Sequence, residues 1–498
     1  MFYTSTRNKN IKVTAAQAIA QGISEEGGLF VPCELPQFSL DKIASMVDMP
    51  YTQRAKTVLK DFLTDFSDEE LDYCVNGAYA AEKFSSSKIA PTVNVAGNKN
   101  ILELWHGPTC AFKDMALQLL PYLMTVSAKK TADGKTIVIL VATSGDTGKA
   151  ALEGFKDVDN TRILVFYPVD GVSPMQKLQM TTQEGENVSV CAINGNFDDA
   201  QSAVKAIFTN DDIKTQLAQK NMMFSSANSI NWGRLVPQIV YYFSTYCDLI
   251  EQKRIALGDE INVVVPTGNF GNILAAYYAK NMGLPIKKLI CASNSNNVLT
   301  DFLKTGEYNK NRKFFTTTSP SMDILISSNL ERLLYHMSGE DDNLVNELMN
   351  ALSKDGKYEV SKTIIDSIQT VFDAGCCDEA SVDATIKEHF DKYHYLCDTH
   401  TAVAVEVYDD YVKRTGDDIP TVIDSTASPY KFSKSVLTAV MGVEEENLDE
   451  FAMVDELNKV SGVDVPKPLQ ALKDKAVRFN NVCDKENMSE MVFKLLNL

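Results

Sequence analysis

Thr136-Ile-Val-Ile-Leu-Val-Ala142 is a continuous apolar run that breaks at Thr143-Ser-Gly-Asp-Thr-Gly148 and resumes as Lys149-Ala-Ala-Leu-Glu153. An unbroken, β-branched run of this length reads as a strand buried on both faces, and the Ala- and Leu-containing continuation reads as a helix. Strand, glycine loop and helix in that order open a βαβ unit, so the segment predicts a parallel sheet. The pattern recurs at Ile261-Asn-Val-Val-Val265, Pro266-Thr-Gly-Asn-Phe-Gly-Asn272 and Ile273-Leu-Ala-Ala-Tyr-Tyr-Ala-Lys280, closed by Gly283 and Pro285.

Outward from these two units, Arg162–Tyr167, Val188–Ile193, Lys288–Ala292 and Thr421–Asp424 read as further buried strands with helical stretches between them. The fold expected is α/β, with two open, twisted, mostly parallel sheet domains and an N-terminal helical cap. The divisions expected are 1–95 for the cap, 96–250 and 251–440 for the two α/β domains, and 441–498 for a C-terminal helical segment. The polar stretch 305–320 is expected to connect elements rather than to close over a ligand. The acidic run from Glu444 to Asp449 reads as a solvated linker or helix face.

Both loops precede a helix, where unpaired backbone N–H groups and the positive end of the helix dipole suit a phosphate or carboxylate. The alternative is glycine kept only for tight turn geometry. Neither loop spells a P-loop, since Thr143 stands where the first glycine is required and Ala150 follows Lys149. Neither spells the dinucleotide fingerprint of three spaced glycines. ATP and NAD are therefore disfavoured. Upstream lies Leu104-Trp-His-Gly-Pro-Thr-Cys-Ala-Phe-Lys-Asp-Met-Ala-Leu117, which sets Lys113 among Ala111, Phe112, Met115 and Ala116. An amine has to be desolvated to react at neutral pH, and these neighbours can supply that setting. Read alone, Phe112-Lys113-Asp114 fits a lysine on a solvated helix face better, and the two glycine loops downstream reverse that preference.

With 498 residues and 45% hydrophobic content, the chain can bury two or more cores of ordinary size. A formal net charge of −18 argues against nonspecific binding to nucleic acid or membrane surfaces. There is no apolar run of about twenty residues to span a bilayer and no apolar signal core at the N-terminus, so the cytoplasm is expected. The ten cysteines include adjacent Cys376 and Cys377 but no Cys-x-x-Cys pair, which points to reduced thiols. The five histidines, His106, His336, His389, His394 and His400, show no metal spacing, and no metal is expected. His106 is either a substrate-orienting group or a hydrogen-bonded structural one, and Cys110 reads as small core packing.

Taken together, Pro108-Thr-Cys-Ala-Phe-Lys-Asp114, the Thr143–Gly148 loop, Ser226-Ala-Asn-Ser-Ile-Asn231 and Gly268-Asn-Phe-Gly-Asn272 resemble threonine synthase. That family consists of pyridoxal 5'-phosphate enzymes of the tryptophan-synthase-β fold type, also called fold type II. The likeness runs from Tyr3 and Gly22-Ile-Ser-Glu-Glu-Gly-Gly-Leu-Phe-Val-Pro32 to Ser425-Thr-Ala-Ser-Pro-Tyr-Lys-Phe432, and its N-terminal element is similar to the longer microbial and fungal subgroup.

The resemblance implies that Lys113 carries the cofactor and later moves protons at the substrate's α and β carbons. It implies that Gly268, Asn269, Phe270, Gly271 and Asn272 hold the cofactor phosphate, and that Thr426 faces the pyridine nitrogen. The implied substrate is O-phospho-L-homoserine. Ser144, Gly145, Asp146 and Thr147 are candidates for its carboxylate, and Asn231, Arg234, Ser173 and Lys177 for its phosphate, since cations pair with phosphate through charge-assisted bonds. Asp146 is out of place beside an anion unless it caps the helix or meets a cofactor hydroxyl. The implied reaction removes protons at the α and then the β carbon, expels phosphate from the γ carbon and adds water at the β carbon. The alternatives are a phospho-lyase or a serine or threonine deaminase releasing a 2-keto acid, and a binding protein that keeps the fold without activity. A monomer is the implied state, with neither nucleic acid nor membrane as a partner.

Overall fold

The computed structural model describes all residues except 132, 133, 144, 171, 196 and 444–446, and all other side chains except those of Phe197, Asp198 and Thr209. Its N-terminal part contains three strands, β1 (Tyr3–Ser5), β2 (Asn8–Val13) and β3 (Phe30–Pro32), joined as an antiparallel sheet in the order β2-β1-β3. The expectation of a purely helical cap is corrected here. Two of these strands are only three residues long, too short for an alternating pattern to register. The helices Ala15–Gln21, Leu40–Ser45, Tyr51–Phe62 and Asp68–Ala78 complete this part, and Arg54 fastens it to the helix Trp232–Glu251 through a buried 2.7 Å pair with Asp248.

Two larger sheets follow. The strands β4 (Thr92–Ala96) and β5 (Lys99–Glu103) lead into β6 (Thr136–Ala142), β7 (Thr161–Pro168), β8 (Val188–Asn194) and β9 (Met222–Ser225). Next come β10 (Ile261–Pro266), β11 (Ile286–Ser293), β12 (Glu307–Asn309), β13 (Lys357–Glu359), β14 (Phe372–Cys376), β15 (Thr421–Ser425) and β16 (Asn481–Asp484). One sheet has the order β14-β11-β10-β15-β5-β4 and is parallel except for β4; the other has the order β16-β8-β7-β6-β9 and is parallel throughout. The α/β class and all six expected strands are present. Ile137–Val141 and the whole of β10 are buried, as strands covered by helices on both faces must be.

Sheet membership does not follow the divisions at 96, 251 and 441. β5, from the first α/β stretch, pairs with β15 in the sheet built mainly from 261–425, while β16, within the C-terminal stretch, pairs with β8 in the other sheet. The stretch 305–320 includes β12, which pairs with β13, and the residue that follows it, Ser321, reaches the candidate site. The acidic run begins in residues 444–446, outside the described residues. Among the described residues, no helix is long and apolar enough to cross a membrane.

Candidate active site

β5 ends at Glu103, and the chain then runs through Trp105 to Lys113, the residue just before the short helix Asp114–Leu117. Thr109 fixes that turn by donating its N–H (2.8 Å) and hydroxyl (2.7 Å) to the two carboxylate oxygens of buried Asp114. On the other side, Phe112 donates its N–H to the Thr426 carbonyl at 2.8 Å, and Ala111 bridges Ala427. Lys113 and the segment after β15 are thereby locked together at the carboxyl ends of parallel strands, where α/β folds place their sites.

The Lys113 amine donates to Ser321 Oγ at 3.2 Å and lies 3.8 Å from Asp146 Oδ2. Burial lowers its pKa to about 8, against the opposing pull of Asp146. Asp146 itself pairs with the fully buried Lys431 at 2.6 Å and accepts from Gln176 Nε2 at 3.0 Å. Burial alone would raise its carboxyl, but Lys431 and Lys113 outweigh that and hold it well below the ordinary carboxylate range. The sequence-level objection to an acid in this loop is therefore met by Lys431, whose Nζ also reaches the Thr109 carbonyl at 3.0 Å.

A testable consequence is that aldehyde uptake by Lys113 in the apoprotein rises with pH with a midpoint at about 8, because only the neutral amine attacks. Stopped-flow absorbance across the range would show it. A midpoint near the ordinary lysine value of 10.5 would refute the role of burial.

The loop after β10 turns into the helix Gly271–Asn281 through Phe270, a bulky residue held at φ 63° in the left-handed region. Its carbonyls point toward 327–329: Ser327 Oγ donates to the Gly268 carbonyl at 2.6 Å, and Asn329 donates N–H (3.1 Å) and Nδ2 (2.9 Å) to the Asn269 carbonyl. No acceptor among the described residues takes the N–H of Gly268, Asn269 or Phe270. A Cβ on Gly268 would meet the Ser321 carbonyl at 2.8 Å, so this loop abuts the segment that holds Lys113. Asn272 ties off the turn, accepting from Thr267 Oγ1 and donating to the Pro266 carbonyl. A desolvated amine beside unpaired N–H groups at a helix start fits an aldehyde carrying a phosphate, so these residues fit pyridoxal phosphate.

The remaining candidates divide. Gly145 (φ 135°) caps the helix Asp146–Phe155, and any Cβ there would strike Gln176 at 2.4 Å; Thr147 is half-buried in the first turn. Ser144 lies outside the described residues. Arg234 is 4% exposed, gives one N–H to the Ala227 carbonyl and leaves buried Nε without a partner among the described residues. Asn231 is buried, with its amide hydrogens given to the Ile19 (3.0 Å) and Ser226 (2.8 Å) carbonyls and its oxygen accepting from Gly233 N–H, so its side chain is engaged structurally. Ser173 caps the helix Pro174–Thr181 through a reciprocal contact with Gln176, and Lys177 on that helix is exposed. His106 sits between Ser85 (2.8 Å) and Glu103 (2.8 Å). Lys431, Ser321 and Gln176 were not legible as site residues. The first belongs to the quoted Ser425–Phe432 motif, which was the available signal.

A partly neutral lysine beside a glycine loop at the strand ends of a parallel sheet defines a pyridoxal-phosphate-dependent enzyme, and residues 101–418 match the family described as "Pyridoxal-phosphate dependent enzyme". Residues 2–79 match "Threonine synthase N terminus" and 401–492 match "Threonine synthase, C-terminal". The chain belongs to the threonine synthase family. It is 42% identical to "Threonine synthase-like 1" of Homo sapiens over 85% of its own length but only 58% of the relative's, so it spans less than two thirds of that protein. It is 39% identical to the threonine synthase of Pseudomonas aeruginosa, covering 89% of this chain and 91% of the relative. The PLP-bound threonine synthase from Brucella melitensis superposes with a TM-score of 0.87 at 36% identity, over 99% of both chains.

Proposed function

We propose that this protein converts O-phospho-L-homoserine and water to L-threonine and phosphate. The observation that carries the reading is the Lys113 amine, 3.2 Å from Ser321 Oγ and 3.8 Å from Asp146, in a pocket edge built by the Gly268–Asn272 loop. Bound pyridoxal phosphate supplies the means to delocalise the carbanions that such a reaction generates. Lys113 holds and moves the proton, with its pKa of about 8 letting it exchange at neutral pH. Lys431 keeps Asp146 anionic, and Ser321 gives the freed amine a resting contact. The buried, incompletely bonded guanidinium of Arg234 suits the substrate phosphate better than Asn231, whose amide is engaged, or exposed Lys177. Gly145 and Thr147, with Ser144, are the candidates for the carboxylate, and Thr426 for the pyridine nitrogen. We take the enzyme to be a cytoplasmic monomer, in keeping with its reduced-thiol composition and its likeness to the longer subgroup.

Shared cofactor residues do not fix the product. The test is incubation of cofactor-loaded protein with O-phospho-L-homoserine, with phosphate, threonine and 2-ketobutyrate measured together. Threonine matching phosphate is expected. Phosphate matched by 2-ketobutyrate would replace this reading with a phospho-lyase.

A further inference from the structure

Arg332 is fully buried, and its guanidinium reaches three separate parts of the chain. Nε donates to the Phe30 carbonyl of β3 at 2.9 Å, one terminal nitrogen donates to the Ile230 carbonyl at 2.7 Å, and the other donates to Asn329 Oδ1. All three acceptors are neutral. The neighbouring Glu331 makes its direct contacts elsewhere, pairing with Arg7 at 2.7 Å and accepting from Thr6 at 2.6 Å, and acts on Arg332 only through space, less strongly than burial opposes the charge. A buried guanidinium without a carboxylate is costly unless a nearby negative charge is part of the functioning protein.

Asn329, also fully buried, links that charge to the loop. Its oxygen is held by Arg332, which fixes which way the amide faces, and its Nδ2 and backbone N–H both go to the Asn269 carbonyl. A carbonyl gripped by two donors is held against rotating inward, so the N–H of the same peptide, that of Phe270, remains directed at the opposite side. Asn329 Nδ2 is also the nearest heavy atom, at 3.5 Å, to where a Cβ on Gly271 would stand.

We propose that Arg332 and Asn329 are positioning residues for the phosphate of the cofactor: together they orient the Asn269 peptide of the loop, and the buried guanidinium, which no carboxylate contacts directly, favours a dianionic ester over its neutral counterpart. Neither touches the cofactor. The relay also makes β3 a support for cofactor affinity, since Phe30 is one of its three anchors. This inference rests on the reading of Gly268–Asn272 as the phosphate cradle.

The test uses full-length apoprotein and two probes, pyridoxal phosphate and pyridoxal, which share the aldehyde and differ in the ester. Dissociation constants are read from absorbance for wild type, Asn329→Ala, Asn329→Gln and Arg332→Met. For Asn329→Ala, the affinity for pyridoxal phosphate is expected to fall about tenfold, as loss of the Nδ2 bond to the Asn269 carbonyl and of the Arg332 contact to the amide oxygen implies. Affinity for pyridoxal should be unchanged. A general loosening would weaken both probes together, and that result, or an unchanged ratio, overturns the proposal. Should Arg332→Met not fold, the Asn329 pair decides. If wild type itself does not distinguish the probes, the cradle reading fails and the relay with it; if wild type distinguishes them and the Asn329 variants do so equally, only the relay fails.

Discussion

Lys113→Ala is expected to lower turnover of O-phospho-L-homoserine by about a thousandfold or more, the scale of losing a positioned proton-transfer group together with covalent capture. The loss should be chemical rather than structural. Lys113 is a buried cation whose charge is opposed by desolvation, so removing it relieves a burial penalty at neutral pH even as it deprives Asp146 of its weaker partner. Thermal stability should therefore change little, since Lys431 remains against Asp146 at 2.6 Å. Borohydride reduction followed by peptide mapping should trap cofactor on the peptide containing Lys113 in wild type and on none in the variant. Retention of a tenth of the activity would remove Lys113 from the proposed chemistry.

The second large effect is expected from a residue that touches no reacting atom in this account. Lys431→Met leaves Asp146 buried with the 3.8 Å contact to Lys113 as its remaining charged partner and the neutral Gln176 amide at 3.0 Å, and breaking a buried ion pair costs about 3–5 kcal/mol. The pH dependence has a definite sign. In wild type the depressed Asp146 carboxyl contributes stability that is fully present above its unfolded value of 3.8 and is lost as pH falls below it. In Lys431→Met, burial is no longer offset, the carboxyl rises, and protonation relieves the strain, so the gap to wild type should narrow toward acid. Denaturant melts at several pH values would measure this. Adding Asp146→Asn should restore most of the lost stability, and a double-mutant cycle with coupling under about 0.5 kcal/mol would refute the pairing.

What could be read from the chain alone followed local patterning. β6 and β10 were legible because seven- and six-residue apolar runs bounded by glycine loops have few other readings. Lys113, which its own segment would leave on a solvated helix face, stood out only together with the two glycine loops and the other motifs of the chain. Lys431 did not, because its partner lies across the fold and nothing at positions 429–432 periodically or compositionally marks a buried ion pair. Ser321 directly follows a polar stretch that reads as connection and carries no mark of its own, and only tertiary packing turns it toward the amine. The reassignment of β5 and β16 to sheets distant in sequence has the same origin: periodicity identifies a strand but not its neighbour.

The pairing of β16 with β8 bears on how the molecule is made. Asn194 and Asp484 bond across 290 residues, and Cys191 and Cys483 touch across 292. At bacterial or eukaryotic translation rates, β8 leaves the ribosome about fifteen seconds to a minute before its partner exists. Throughout that interval β8 presents an open edge, with a row of unpaired amides beside a strongly apolar strand. The nascent protein thus has a defined window in which chaperone cover matters most, and that window closes only when β16 has been synthesised and has docked.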